Sequence, residues 1–325
     1  MSKAIGLISG GLDSLLAARV LLDQGIEVLG LSFETPFFGP GTAKRMAVQL
    51  GIPLRVMEIS EEHLKIVMNP PHGYGSAMNP CIDCHALMIR NAGQIMEEEG
   101  YDFIFTGEVL NQRPMSQNRQ SLQLVAKLSG YSEFLLRPLS AKLLPETRVE
   151  REGIVDRGRM LDIQGRSRKK QLALAQDYGL VEFGTPAGGC LLTERGFSVK
   201  LRELFEMGNF DLRDVRLLKL GRHFRIGTVK MVLGRNEEEN QKIKEMRRDG
   251  DVLLSAEHFP GPVALVCGGA AEEVLRQGAG ICVAFSDVHG SEEMPELLLE
   301  GKYEARIRPP LLTRAQIREF AIGGE

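Results

Sequence analysis

Two constellations in this chain of 325 residues have the residue types and spacing for chemistry. The first is Ser9-Gly-Gly-Leu-Asp-Ser14, set between the apolar run at residues 4–8 and a helical pattern that carries Leu15, Leu16, Val20 and Leu21. Gly10 and Gly11 let the backbone turn sharply and approach an anion closely. The helix start that follows offers unpaired N–H groups and the positive end of a dipole. Ser9 and Ser14 can donate to phosphate oxygens. Asp13 is unusual at an anion site because it adds negative charge, and a bridging Mg²⁺ reconciles the two. The competing structural reading is a glycine turn with an Asp/Ser helix cap.

The second constellation is made of thiols. Cys81-Ile-Asp-Cys84 follows a Pro/Gly-rich loop at residues 69–80 and opens a helix, where the dipole is expected to favour thiolate. Two cysteines cannot complete a tetrahedral site. Cys190, on the loop Thr185-Pro-Ala-Gly-Gly-Cys190, is the candidate third ligand, and the adjacent His85 a candidate fourth. Three thiolates suit a [4Fe-4S] cluster with one open iron. A persulfide relay between two cysteines and a structural zinc are the alternatives. Cys267 and Cys282 sit in apolar runs and read as core. The odd cysteine count, without an export signal, argues against a disulfide framework.

Elements that would position these residues alternate along the first half of the chain. Strands are expected near 4–8, 27–33, 54–59 and 103–106, with helices over 42–50, 86–99 and 168–178. Such alternation predicts an α/β fold, a parallel sheet with helices on both faces. Ligands bind at the carboxyl edge of open sheets of this kind. Asp13 lies on that edge, and Phe33 and Gly107, at the ends of the second and fourth strands, are candidate nucleotide contacts. A catalytic domain over residues 1–195 and a smaller α+β domain over 196–325 are expected. In the latter, strands are read at 224–233, 251–255, 262–267 and 281–285, and helices at 236–248 and 270–277.

The Ser9–Ser14 word resembles the S-G-G-x-D-S signature of the PP-loop, or ATP pyrophosphatase, superfamily, whose fold is of the adenine nucleotide alpha hydrolase type. That resemblance implies ATP cleavage between the α and β phosphates, adenylylation of a substrate oxygen, and displacement of AMP by a nucleophile. Asn79-Pro-Cys-Ile-Asp-Cys84 is similar to the N-P-C-x-x-C segment of the tRNA 2-thiouridylases and the cluster-bearing 4-thiouridine synthases. Thr106-Gly-Glu-Val-Leu-Asn-Gln112, Ser116-Gln117 and Arg137-Pro138-Leu139 resemble further motifs of the latter, with Asn111 in place of the usual Gly. The resemblance covers residues 4 to about 195 and implies a tRNA sulfurtransferase. Ser9, Gly10, Gly11, Asp13 and Ser14 would hold ATP and Mg²⁺, and Cys81, Cys84 and Cys190 the cluster. It includes neither the N-terminal RNA-binding domain nor the rhodanese-like extension of some 4-thiouridine synthases, which leaves the target uridine open.

Net charge is −3, so an RNA site must be local. Residues 221–310, with Gly234-Arg-Asn, Gly250-Asp251 and His258-Phe-Pro-Gly-Pro262, resemble the RNA-binding module of the NFACT proteins. That implies RNA contact through Arg222, Arg225, Lys230 and Arg235. The Arg/Lys-rich stretch at 148–170, Arg137 and Lys142 are candidates for phosphate contact, against solvated charge and salt bridges. With no long apolar run or signal peptide in view, a cytoplasmic chain is expected. Its expected partners are tRNA and a sulfur donor, free sulfide or a persulfide carrier, and a homodimer is open. The rivals are a PP-loop amidotransferase or ligase for a small metabolite and a nucleotide-sensing RNA-binding factor.

Overall fold

The computed structural model describes residues 2–184, 189–256, 259–287, 296–301 and 304–323. The chain divides into two compact units, Met1–Thr193 and Glu194–Glu325.

The first unit runs β1 (Lys3–Leu7), α1 (Leu12–Leu22), β2 (Glu27–Glu34), α2 (Gly41–Leu50), β3 (Leu54–Glu58), α3 (Ser60–Met68), α4 (Cys81–Glu99), β4 (Phe103–Thr106), α5 (Arg119–Ser129), β5 (Leu135–Leu136), α6 (Arg148–Arg151) and α7 (Lys169–Asp177). Its five strands are all parallel, in the order β3-β2-β1-β4-β5. Alternate residues feed opposite faces. Ala4, Phe103 and Phe105 pack with α1, α2 and α7, whereas Ile5, Leu31 and Ile104 pack with α4 and α5. Burial on both faces explains why these strands read as continuous apolar runs. The chain builds outward from β1 to β3 and then returns to the other side of β1 with β4. The order therefore reverses between β1 and β4, and a crevice opens at their carboxyl ends. Ser9–Ser14 follows β1 there, and Gly107 follows β4.

The second unit runs α8 (Arg195–Met207), α9 (Leu212–Leu217), β6 (Arg222–Ile226), β7 (Val229–Leu233), α10 (Glu237–Glu245), β8 (Val252–Ala256), β9 (Ala264–Val266), α11 (Glu272–Ala284), β10 (Leu297–Glu300), β11 (Glu304–Ile307) and α12 (Arg314–Phe320). Its strands form an antiparallel six-stranded sheet, ordered β11-β10-β8-β9-β7-β6.

Two sequence expectations are corrected here. The run at 281–285, expected as a strand, is helical through Ala284 and closes α11. Every residue from Gly278 to Val283 is buried, so the segment is apolar all round and shows no periodicity to separate helix from strand. The run at 224–233 is not one strand but the hairpin β6–β7, turned through Gly227 at φ 60°. Helices α3, α5, α8, α9 and α12 and strands β10 and β11 were not anticipated. No helix among the described residues is long and apolar enough to cross a membrane.

Gly221, at φ 58°, precedes β6 so closely that an added Cβ would lie 2.1 Å from the Leu233 carbonyl oxygen. The left-handed backbone and the steric overlap together make Gly221→Ala cost about 2–5 kcal/mol. Urea unfolding followed by circular dichroism should show the loss as a lower midpoint.

Candidate active site

α1 begins at Leu12 with Gly11 as its N-cap, and no side chain caps it. The first helical bond is Leu15 N–H to the Gly11 carbonyl, which leaves the amides of the preceding turn without that kind of partner. Ser14 Oγ donates to the Gly11 carbonyl at 2.9 Å, and the Ser9 and Ser14 hydroxyls stand 3.4 Å apart. Gly10 takes φ 81°, and a Cβ there would meet Thr42 Cβ at 2.6 Å and the Ala43 amide at 2.7 Å. The loop thus needs glycine both for its conformation and for its packing on the start of α2. Uncapped amides, hydroxyls and a dipole end make an anion cradle.

Gly107 closes the other side. A Cβ on it would lie 2.4 Å from the Ser14 amide nitrogen and 2.5 Å from the Asp13 carbonyl carbon, so only a glycine lets the end of β4 touch the first turn of α1. Five residues on, Gln112 Nε2 donates to Asp13 Oδ2 at 2.6 Å. Gln171 Nε2 on α7 donates in turn to Gln112 Oε1 at 2.8 Å. Arg168 Nη2 approaches the same Asp13 oxygen to only 3.7 Å. The other oxygen, Asp13 Oδ1, is buried and has no hydrogen-bond partner among the described residues. A buried carboxylate oxygen left open beside an anion cradle fits Mg²⁺, a hard cation that takes oxygen ligands.

The thiols assemble on the opposite side of the sheet from α1. Cys81 and Cys84 occupy the first turn of α4, as expected from the sequence. Asn79 Nδ2 donates to Cys81 Sγ at 3.1 Å. His63 on α3 places Nε2 3.2 Å from Cys84 Sγ, with its ring 5.5 Å from that of Phe37 and 5.3 Å from that of Phe38. The segment after Cys190 is pinned to the same place, because the Leu191 amide donates to the Phe37 carbonyl at 3.0 Å. All three thiols feel one another electrically. Burial raises the Cys84 pKa well above the usual thiol value, and charges at Cys190 and Cys81 raise it further. Burial likewise pushes Cys190 up to about 11, with a contribution from Cys81. The expectation that the helix start would favour thiolate therefore fails at Cys84, where desolvation outweighs the dipole. Buried thiols of this kind ionise when a cationic metal group binds them. Thiolates are the soft donors that iron–sulfur groups take. Among the described residues, no three His, Cys, Asp or Glu side chains gather around a single ion.

The two halves of the site are joined by one carboxylate and one stretch of chain. Glu108 is 5% exposed and accepts from Arg137 Nε at 2.8 Å and from His85 Nδ1, on α4, at 2.9 Å. Desolvation pushes its pKa up, but Arg137 and His85 outweigh that and hold the carboxyl well below its usual range. Gly184 makes a parallel bridge with Gly11 and donates to the Gly10 carbonyl at 2.9 Å, six residues before Cys190.

Residues 1–143 match the family model described as thiamine biosynthesis protein (ThiI), and residues 221–308 match that of the NFACT protein RNA binding domain. The chain is similar, over part of its length, to enzymes named as tRNA-specific 2-thiouridylases. It is 29% identical over 157 residues to the tRNA-specific 2-thiouridylase MnmA of Trichlorobacter lovleyi, covering 44% of each chain. With the enzyme of the same name from Pelobacter propionicus it shares 25% over 247 residues, covering 71% of this chain and 65% of that one. It spans between 32% and 65% of the length of these and similar curated relatives. Among solved structures, a 4-thiouridine synthetase in complex with RNA and ATP aligns with a TM-score of 0.35 and 21% identity, over 55% of this chain and 52% of that one.

Ser9, Gly10, Gly11, Asp13, Ser14 and Gly107 come together where the strand order reverses, and Cys81, Cys84 and Cys190 are near enough to influence one another electrostatically. Phe33, near the end of β2, is 5% exposed and packs in the core with Leu31 and Ile59, so its ring is committed there. Arg137 and Lys142, candidates for phosphate contact, are engaged elsewhere: Arg137 by Glu108, and Lys142 by the Gly158 carbonyl at 2.7 Å. His85 points to Glu108 rather than serving the thiols. Of the Thr185–Cys190 loop, residues 185–188 lie outside the described residues, as does His258 of the second unit. In that unit, Lys230 is a correction. It is 5% exposed, and burial lowers its pKa to about 8, so it offers no outward contact. Arg225 is paired with Glu203 at 2.6 Å, and Arg235 with Glu239. Arg222 lies 4.7 Å over the Phe285 ring. His63 and Gln171 were missed. A lone His in an unanticipated helix carries no sequence signal, but Arg168 sits in the noted Arg/Lys stretch.

Gly107→Ala should abolish nucleotide binding in calorimetry and lower the melting temperature, because backbone cannot give way to a Cβ at 2.4 Å. Truncating one partner of the buried pair, as in Arg137→Ala, should cost about 3–5 kcal/mol. The charge on Glu108 adds stability fully present above the ordinary carboxylate pKa of about 4.3, lost as pH falls from there toward its much lower folded value. Urea titrations should therefore show wild type losing stability relative to Glu108→Gln as pH falls from about 5 toward 2.

Proposed function

We propose that this protein is an ATP-dependent tRNA sulfurtransferase that adenylylates a uridine carbonyl oxygen and replaces that oxygen with sulfur. The observation that carries the reading is that one unit holds both an anion cradle, with its open Asp13 oxygen, and three electrostatically coupled thiols, linked through the Gly184–Gly10 bond and the Glu108–His85 bond. Relatives named for tRNA 2-thiouridylation support it, as does the match of residues 221–308 to an RNA-binding module.

In the first step the uridine oxygen attacks the α phosphorus of ATP. The O–P bond forms, the bond to the β-phosphate oxygen breaks, and pyrophosphate leaves. Amides at the start of α1, with Ser9 and Ser14, hold the phosphates; Asp13 would hold Mg²⁺, which when bound supplies positive charge against the phosphates. In the second step sulfur at the oxidation level of hydrosulfide bonds to the activated carbon, the C–O bond breaks, and AMP departs with the former carbonyl oxygen. A proton is lost from sulfur, so the exchange is redox-neutral. Cys81, Cys84 and Cys190 would hold a [4Fe-4S] cluster, which when bound supplies an open iron for hydrosulfide. Asn79 and His63 orient the thiols through contacts at 3.1 and 3.2 Å. The second unit would contribute RNA contact through Arg222 and its neighbours.

Purified without oxygen, the protein should contain iron and acid-labile sulfide, and each of Cys81→Ser, Cys84→Ser and Cys190→Ser should lose both. With tRNA, ATP and sulfide it should release pyrophosphate and form thiouridine detectable by mass spectrometry of nucleosides. Asp13→Asn should abolish pyrophosphate release, while the cysteine variants should retain it and form no thiouridine. Pyrophosphate release that ignores tRNA and follows a small metabolite would sink the reading.

A further inference from the structure

Polar groups beneath Asp13 are oriented with little freedom. A carboxylate only accepts, so Gln112 must turn Nε2 toward Asp13 and Oε1 toward α7. Gln112 Oε1 in turn requires Nε2 from Gln171. Gln171 has no exposed surface, and its Oε1 faces the interior with no hydrogen-bond partner among the described residues. Two amides thus fix the distance between the Asp13 carboxylate on α1 and the start of α7.

Arg168, the N-cap residue of α7, is held differently. Its side chain is 17% exposed, its Nε is buried without a hydrogen-bond partner among the described residues, and its Nη2 lies 3.7 Å from Asp13 Oδ2. A charge-assisted hydrogen bond would close to about 2.7–2.9 Å. The guanidinium is near enough to offset the carboxylate charge and loose enough to leave it. A planar fork of donors with this freedom, facing an anion cradle from the opposite helix, matches paired phosphate oxygens.

We propose that Arg168 is a polyphosphate-binding residue: it pairs loosely with Asp13 and turns to the β and γ phosphate oxygens once a divalent cation occupies that carboxylate. The inference rests on the nucleotide reading above and adds to it the group that receives charge as pyrophosphate departs. Gln112 and Gln171 keep Asp13 in place during the exchange.

The test is calorimetric titration of the full chain with Mg·ATP, Mg·pyrophosphate and AMP. In Arg168→Ala, binding of Mg·ATP and Mg·pyrophosphate should weaken about 10- to 100-fold, as expected for one lost charge-assisted hydrogen bond, with AMP unchanged. Arg168→Lys keeps the charge without the fork and should fall between. If Arg168→Ala does not fold, as judged by its melting transition, Arg168→Gln serves for the same comparison. Undiminished pyrophosphate binding, or equal weakening of ATP and AMP, overturns the role of Arg168 while leaving the nucleotide reading intact. A wild-type chain that binds neither Mg·ATP nor Mg·pyrophosphate overturns both.

Discussion

The backbone of Gly107 rests against the backbone of Asp13 and Ser14 at a separation that no side chain tolerates, and the rest of the site is hung from that contact. It brings the end of β4 against the first turn of α1, across the place where the strand order reverses. The next residue, Glu108, reaches the other way to His85, one residue beyond Cys84. Gln112, four residues later, returns to Asp13. One short segment therefore grips the anion cradle with its backbone and an amide, and the thiol-bearing helix with a carboxylate. Moving α1 relative to α4 would break a buried charged hydrogen bond on one side or a backbone contact on the other.

Two carboxylates a few residues from this contact are treated in opposite ways, and the difference separates structure from chemistry. Glu108 is deeply buried, but a guanidinium and an imidazole meet its charge, and its pKa is held down. Such a group is committed to the fold, since removing a partner strands a charge in low dielectric. Asp13 is compensated by a neutral amide and a distant guanidinium, and one of its oxygens meets no donor among the described residues. A carboxylate left short of partners while its neighbours are satisfied is matched to something the chain does not supply.

Much of this could be read before the structure, for physical reasons that differ by element. Buried parallel strands are short runs of apolar residues between turn signals, and β1, β2 and β4 carry that pattern plainly. The glycines of Ser9–Ser14 are legible because positive φ and close backbone approach leave few substitutes. Helix α11 is illegible for the opposite reason: Gly278–Val283 is buried on all sides, so the period that would distinguish it is absent. Lys230 reads as a surface cation because lysine usually is one. Its burial is set by β7 pairing with β6 and β9 on both sides, which no local pattern reports. His63 and Gln171 gain meaning only from residues 21 and 59 positions away.

Cys190 is distant in sequence from both other thiols, yet the chain itself limits how far it can stand from the anion cradle. Gly184 is bonded to Gly10, and Cys190 follows six residues later. Even fully extended, six residues span only about 20 Å, and the Leu191 amide ties the far end to Phe37. The same segment is thereby anchored at the cradle and at the thiols. For the two-step reaction proposed above this tether has a consequence. An adenylylated oxygen is a reactive leaving group that water can displace, so the competing nucleophile gains by being held close rather than arriving by diffusion. Cys81 and Cys84 gain their nearness from tertiary packing of α4, whereas Cys190 has a covalent guarantee of it. Loosening the packing would therefore separate the thiols from one another before it separated Cys190 from the nucleotide loop.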